Sequence, residues 1–556
     1  MDFTAIVFIV FIVGTTALLS WPVGRYLKWA MDPAQANRAT QIFQLVGGAP
    51  ARAAQGWKEY VIAILISNAV MFTVCYLSLA LQQSLPLNPD GKEALTHHLI
   101  FNTTASFTTN TNLQHYSGEV SMSYLSQLAA LMWLQFVTPA TGLAALAAMA
   151  RGLAGRPDMG NFYVDLQRAT FLVLLPAAVV VALLMVIGGM PMTLDGSAVA
   201  TTLEGAEQTI ARGPVAAFVA IKQLGTNGGG FFGPNSTHPF ENPNFWTNVL
   251  STIAIILIPM ACVWMFGRVT GHMRHAAVVF AVMLVLMTTR IGFAAWFETE
   301  PTQAFAELPI TQDAGNLEGK ELRFGTSAGP LWAVVTTSTS NGSVNSMHDS
   351  LNPLTGLMPM VGMWLNEDFG GVGVGMINMF VYIVLAVFIA GMMVGRTPEY
   401  LGRRIEAREV KLAVFAMLAH SLFILGGAAL FAMTPWGAAT LNNVGAHGFS
   451  EILYEFSSAS ANNGSGFEGL GDNTPAWNVA TGLVMLLARY FPIILPLAIA
   501  GSLATKRQAA PSAGTLGVQD STFAIMLLAT IVVVGALTFF PAAALGPIAE
   551  HLQFMR

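Results

Sequence analysis

The sequence predicts an all-α membrane protein: ten transmembrane helices, set out as four pseudo-fourfold span–loop–span repeats with one extra helix at each end. Three observations predict it. Charged residues make up only 10% of the 556 residues and the set AVILMFWYC 54%, with a mean hydropathy of +0.59. A soluble domain carries about 25% charged residues, and so few cannot cover a body this large. Ten apolar runs are long enough to cross a bilayer, and between them four polar runs recur at near-equal spacing.

A span needs about 20 mostly apolar residues. The runs lie at 3–24, 59–82, 124–150, 168–190, 246–267, 275–297, 372–395, 411–434, 477–503 and 522–545. The first follows Asp2, and Arg25 and Lys28 come after it. A signal peptide carries its positive charge first, so this run reads as a retained span. The third carries Gln127, Gln135 and Thr138 and is expected to line something other than lipid. Cys75 and Cys262 each sit inside an apolar run and read as buried apolar residues. The net charge of −5, without a basic patch, excludes nucleic-acid binding.

Basic residues set the orientation. Seventeen of the 25 Lys and Arg lie in alternate connectors. They are Arg25, Lys28, Arg38, Arg52 and Lys58; Arg151, Arg156 and Arg168; Arg268 and Arg274; Arg396, Arg403, Arg404, Arg408 and Lys411; and Lys506 and Arg507. Those connectors are expected to be cytoplasmic and both termini extracytoplasmic.

The opposite connectors hold FNTTASFTTNTNLQ (101–114), FVAIKQLGTNGGGFF (218–232), LWAVVTTSTSNGSV (331–344) and FSEILYEFSSASANNGSGF (449–467). In each, a semi-apolar stretch of about 8–12 residues precedes the polar run. As a helix it is about 12–18 Å long. It can dip into a bilayer of about 30 Å and turn back, but it cannot cross. With Asn112, Gly228, Gly342 and Gly464 taken as equivalent, the separations are 116, 114 and 122 residues, a fixed period that marks an internal array. The chain then divides into a first extra span and its connector (1–58), repeats at 59–150, 168–267, 275–395 and 411–503, and a last extra span (522–545).

Four such loops around one axis can select a cation. A potassium ion sheds its water only if backbone carbonyls replace it. Turning successive carbonyls inward needs unusual φ/ψ, which Gly supplies without a Cβ clash. Asn is among the few other residues that tolerate it. The predicted filter is Asn110, Thr111 and Asn112; Thr226, Asn227, Gly228 and Gly229; Ser340, Asn341, Gly342 and Ser343; and Asn462, Asn463, Gly464 and Ser465. No Asp or Glu recurs in the four runs, which argues against a carboxylate filter. Read singly, each run is also compatible with an exposed turn.

The stretches TNTNLQHYSGE (109–119), TNGGGFFGPNSTHPFENP (226–243), MHDSLNPLTGL (347–357), GRTPEYLG (395–402) and SANNGSGFEGL (460–470) resemble the potassium-channel-like A subunit of the bacterial Kdp potassium-transporting ATPase. The resemblance runs the whole length. It implies a chain that binds external K+ in the cytoplasmic membrane and passes it to a P-type ATPase subunit that hydrolyses ATP. It also implies a small single-span subunit and an accessory subunit as partners, besides membrane lipid. The chain itself carries neither GxxxxGK[ST] nor DKTG, so no nucleotide site is expected in it. A stand-alone potassium channel or symporter of the same superfamily is the alternative.

Other constellations read more plainly. Adjacent His97 and His98 are poor chelators. His238 and Glu241, between prolines in HPFENP, read as a rigid cap rather than a catalytic pair. Within the alternating charges from Arg396 to Lys411, Arg396, Glu399, Arg403 and Arg404 are candidates for docking the ATPase subunit, beside ordinary charge decoration. Few charges lie inside spans, chiefly Arg290 and Arg489, which argues against a proton pump. Arg489 follows the fourth filter, where a guanidinium repels a cation and cannot lose its proton. It is the candidate pore barrier; pairing with a buried carboxylate for packing is the alternative.

Overall fold

The computed structural model describes residues 3–32, 38–301, 308–395, 397–508 and 517–554. Among the described residues, ten helices have the length and apolarity to cross a membrane. They are Phe3–Ala30, Trp57–Ala80, Ser126–Leu153, Phe162–Ile187, Phe245–Thr270, Met273–Thr299, Val374–Met393, Ala407–Ala432, Pro475–Thr505 and Ser521–Leu545. The first runs six residues past its predicted end. Its extension, RYLKWA, carries Arg25 and Lys28, and Lys28 pairs at 2.7 Å with Asp32 just beyond the helix end. Some helix starts carry side-chain caps. Asn244 accepts from the N–H groups of Trp246 and Thr247, and Asp520 from that of Phe523.

Burial sorts the spans. In the third, fifth, seventh and ninth, 56–83% of the apolar window is buried; in the second, fourth, sixth and eighth the share is 28–50%. The second member of each consecutive pair therefore packs inside and the first faces outward. Small residues let the inner helices approach. Ala140 to Ala150 of the third span are all buried, and a Cβ on Gly142 would lie 2.4 Å from the Val372 carbonyl. At one end of this core, Arg151 and Asp165 form a buried ion pair at 2.6 Å, and Tyr60 donates to the same carboxylate at 2.9 Å. That ties the second, third and fourth spans.

Four shorter helices lie between the members of each pair: His97–Thr108, Val215–Leu224, Ala328–Ser338 and Gly445–Ala461. The first three have 12, 10 and 11 residues, as expected for helices that dip and return. The fourth has 17, longer than the predicted stretch, because GAHGF adds turns at its outer end.

A second departure lies in the third pair. A 13-residue helix, Pro353–Leu365, precedes the seventh span, and the two are separated by residues 366–373. The break is left-handed at both ends, with φ of 51° at Asn366 and 82° at Gly373. What reads in the sequence as a plain connector is half of a broken helix. The described residues also include two small antiparallel hairpins, Ala198–Thr201 with Glu207–Ile210, and Glu399–Tyr400 with Arg403–Arg404.

Candidate ion filter

Each of the four shorter helices ends in the same backbone device. Two residues, two positions apart, take left-handed φ: Asn110 and Asn112 (61° and 55°), Thr226 and Gly228 (50° and 82°), Ser340 and Gly342 (47° and 89°), Asn462 and Gly464 (51° and 106°). The residue between them donates its N–H back into the preceding helix. Thr111 reaches the Ser106 carbonyl at 2.9 Å, Asn227 that of Lys222 at 2.9 Å, Asn341 that of Thr336 at 2.8 Å and Asn463 that of Ser458 at 2.9 Å. The left-handed turn is costly for a β-branched residue such as Thr226, of order 1–3 kcal/mol. Its hydroxyl accepts the Val372 N–H at 3.1 Å, which helps to hold it.

The four loops touch in a ring. A Cβ on Gly228 would lie 1.8 Å from the Asn341 carbonyl oxygen, one on Gly342 2.2 Å from that of Asn463, and one on Gly464 2.1 Å from that of Thr111. Side chains stitch every seam. Asn110 donates to the Thr226 carbonyl (3.1 Å), Asn341 to that of Lys222 (3.1 Å) and Asn463 to that of Thr336 (2.9 Å). Asn462 donates to the Thr111 hydroxyl (2.9 Å). Asn112 stands where the other loops have Gly, and Gly229 makes room for it: a Cβ there would be 2.8 Å from the Cβ of Asn112. Ser343 and Ser465 bond within their own loops to Asn341 and Asn463. All fifteen predicted filter residues thus lie in one ring.

The decisive feature is what the carbonyls do not do. Thr111, Asn227, Asn341 and Asn463 are fully buried, yet among the described residues nothing donates a hydrogen bond to their carbonyl oxygens. Buried carbonyls are normally paired. Four equivalent unpaired ones, at the negative ends of four helices, suit a cation that has lost its water.

The polar residues of the third span serve the ring. Thr138 donates to Asn110 (2.9 Å), Gln135 to the Gly229 carbonyl (3.3 Å) and Gln127 to that of Phe231 (3.2 Å). Past the ring opens a cavity of about 500 Å³, lined by all four loops, among them Gln114, Asn235, Gly342, Gly464, Glu468 and Asp472. In its wall His115 bonds Glu455 at 3.0 Å and Asn478 at 2.9 Å. Burial would lower the His115 pKa, but Asp472, Glu455 and Asn478 outweigh it and raise it to about 9.

On the other side of the ring lies the break at 366–373. Ser340 donates to Asn366 at 2.8 Å, and a Cβ on Gly373 would be 2.3 Å from the Gly142 carbonyl. Arg489 is beside it, buried, its guanidinium 3.5 Å from the Thr138 carbonyl and without a carboxylate partner among the described residues. Arg290 is the opposite case. It pairs with Asp368 and also donates to Ser338 (2.6 Å) and the Met358 carbonyl (3.2 Å). The carboxylate pairing weighed as the alternative for Arg489 is found instead at Arg290.

Residues 9–552 match the family described as potassium-transporting ATPase A subunit. The chain belongs to that family. It is 49% identical to the potassium-transporting ATPase potassium-binding subunit of Rhodospirillum centenum over 515 residues, 92% of this chain and 90% of that one. It is 50% identical to the subunit of the same name from Pseudomonas aeruginosa over 514 residues, 92% and 91% of the two chains.

The docking candidates separate. Arg403 turns inward, buried, and donates to the Leu153 carbonyl at 2.8 Å. Arg404 stays exposed, 4.0 Å from Glu399. Arg396 lies outside the described residues. His238 and Glu241 form no pair: His238 stacks on Phe232 with ring centroids 3.9 Å apart, and Glu241 turns to Lys222. Neither Lys222 nor the broken helix was legible as part of the site. The signals present were a lone Lys in an apolar helix and the 13-residue apolar stretch before NEDFGG.

Proposed function

We propose that this chain is the potassium-binding and translocating subunit of an ATP-driven uptake pump. The observation that carries the reading is the ring of four buried, unpaired carbonyls at Thr111, Asn227, Asn341 and Asn463. Four repeats, 59–150, 168–267, 275–395 and 411–503, supply one loop each. Extracytoplasmic K+ enters through the 500 Å³ cavity, which then opens outward. The carbonyls replace its water. Both termini are extracytoplasmic and the membrane is the bacterial cytoplasmic one, as the basic connectors suggest. The chain is non-catalytic. A P-type partner hydrolyses ATP, in a complex with a small single-span subunit and an accessory subunit, and Arg404 is the exposed docking candidate, with Glu399 half-buried beside it. Arg489 blocks the straight route beneath the filter and turns the ion sideways, toward the partner.

The test is ion-specific stabilisation of the purified complex. Potassium should raise its unfolding temperature at concentrations where sodium does nothing. An equal response to both ions sinks the filter reading. A stand-alone channel is distinguished by purification, since a pump subunit brings an ATPase with it.

A further inference from the structure

The second loop differs from the other three in what stands behind it. Six residues before the second left-handed position the helices carry Ser106, Lys222, Thr336 and Ser458. Lys222 is fully buried. Its ammonium donates to Oδ1 of Asn235, to Oγ of Ser236 (2.8 Å) and to Oε2 of Glu241. Those three bonds use all its donors. Glu241, also fully buried, accepts the Phe232 N–H on Oε1 at 2.9 Å. A buried ion pair persists when both charges are satisfied in this way.

Asn235 links the pair to the filter. Its Nδ2 donates to the Gly228 carbonyl at 2.7 Å. The ammonium fixes which way the amide faces. Lys has donors and no acceptor, so Oδ1 must turn to it and Nδ2 must turn to Gly228. The Ser236 N–H, at 2.9 Å from the same Oδ1, reinforces that choice. The equivalent carbonyls of Asn112, Gly342 and Gly464 accept no hydrogen bond among the described residues. One carbonyl in this layer is therefore held by a side chain, and a buried charge decides how.

We infer that Lys222 and Glu241 are positioning residues for potassium selection: the ion pair orients the Asn235 amide, which holds the Gly228 carbonyl and so sets affinity through the second loop. The inference rests on the filter reading above. Without the ammonium the amide can flip, and Oδ1 then faces the carbonyl and repels it.

The test measures rubidium uptake by the assembled complex in proteoliposomes, as half-saturating concentration against maximal rate. Lys222→Met alone strands a buried carboxylate and can fail to fold. Lys222→Met/Glu241→Gln removes both charges. Its thermal stability and maximal rate should stay near wild type, while the half-saturating concentration rises about tenfold. A purely structural pair predicts recovery of both, so a value within twofold of wild type overturns the inference. Asn235→Ala should raise the half-saturating concentration by a similar factor, and adding the double substitution to it should change little. An unchanged value in Asn235→Ala, or full additivity, also overturns it. Gly342→Ala is the reference arm. If it shifts affinity and the pair variants do not, the positioning role alone fails. If it too leaves affinity unchanged, the filter reading fails and takes the positioning role with it.

Discussion

The second and fourth loops share a backbone and little else. Both turn left-handed at two residues two apart, and both return the intervening N–H to the helix before them. Behind the second stand Lys222, Asn235 and Glu241. The side chains that bond the fourth loop from behind are neutral, and the charged Glu455 of its helix turns instead to His115. The Ser458 hydroxyl accepts the Gly464 N–H at 2.9 Å, and Tyr454 bonds Ser465 at 2.8 Å and His348 at 2.9 Å. On the far side of the ring the charge is reversed in place. Twenty-five residues past the second left-handed position, the second repeat has Ile253 and the fourth has Arg489. Carbonyl geometry is common to the repeats, while the side chains around it differ from one repeat to the next. On the proposed reading, a fourfold ring then feeds an asymmetric exit.

The largest expected effect comes from breaking what is shared. Gly342→Ala puts a Cβ on a residue with φ of 89°, 2.2 Å from the Asn463 carbonyl oxygen. Backbone must move, and the ring moves with it. The half-saturating potassium concentration for uptake should rise at least tenfold and discrimination against ammonium should fall. Gly292→Ala is the control, since that residue has no neighbour within 4 Å of an added Cβ. Unchanged uptake at low potassium in Gly342→Ala would falsify the shared-backbone account.

Arg489→Met removes a feature private to the fourth repeat. With no carboxylate to strand, the substitution should fold. Passive rubidium flux into proteoliposomes without ATP should appear, several-fold above wild type, with filter affinity nearly unchanged. Arg489→Lys, which keeps a charge, should leak less. Absence of leak together with lowered thermal stability assigns Arg489 to packing.

These contrasts also explain what was legible in the sequence. The equivalence of Asn112, Gly228, Gly342 and Gly464 shows because one backbone demand recurs and few residues meet it. Asn110, Thr226, Ser340 and Asn462 fall within the predicted filter, but their left-handed turn does not announce itself, since only two of them are Asn and each is held by different neighbours. Gln127, Gln135 and Thr138 are conspicuous in an apolar run, and they do bond to the loops. The helix Pro353–Leu365 is too short to register as a span. Lys222 and Glu241 are 19 residues apart, and only the fold makes them a pair. Arg403 shows the limit of charge patterns: they place a residue on a side of the membrane and say nothing of whether it faces its own chain.

A smaller effect is expected from the neutral scaffold of the fourth loop. Tyr454→Phe removes one hydroxyl bonded to Ser465 and His348 and keeps the ring stacked on Phe467, with centroids 4.4 Å apart. Loss of one buried hydrogen-bonding group costs about 1–2 kcal/mol. Thermal stability should fall by that order, and half-saturation should move less than threefold, because Ser465 keeps its bond to Asn463 at 2.6 Å. A shift as large as that of Gly342→Ala would mean that the scaffold behind the fourth loop tunes the filter too, and the comparison with the second loop would collapse.

The smallest effect on potassium affinity concerns the outer end of the fourth short helix, where the extra turns carry His447. Its Nδ1 bonds Glu550 at 2.8 Å and its Nε2 bonds Asp349 at 3.0 Å. It therefore ties the terminal helix Pro547–Phe554 to the segment just after the third loop. Burial alone would lower the His447 pKa. Hydrogen bonds to Asp349 and Glu550, with their charges, outweigh it and raise the value from 6.5 to about 10. A folded-state pKa above the unfolded one stabilises fully below about pH 6.5, and that stability is lost as pH rises through about 10. His447→Gln keeps a polar side chain but carries no charge. It should lower stability by about 2 kcal/mol near pH 6, the scale of a charged hydrogen bond. The gap to wild type should shrink toward pH 10, where wild-type His447 is itself becoming neutral. Thermal unfolding of both complexes from pH 6 to pH 10 measures it. A gap that stays constant across that range means the tie acts by shape alone. In either case the half-saturating potassium concentration should hardly move, since His447 touches no filter residue, and a clear shift there would show that the outer turns and the ring are coupled.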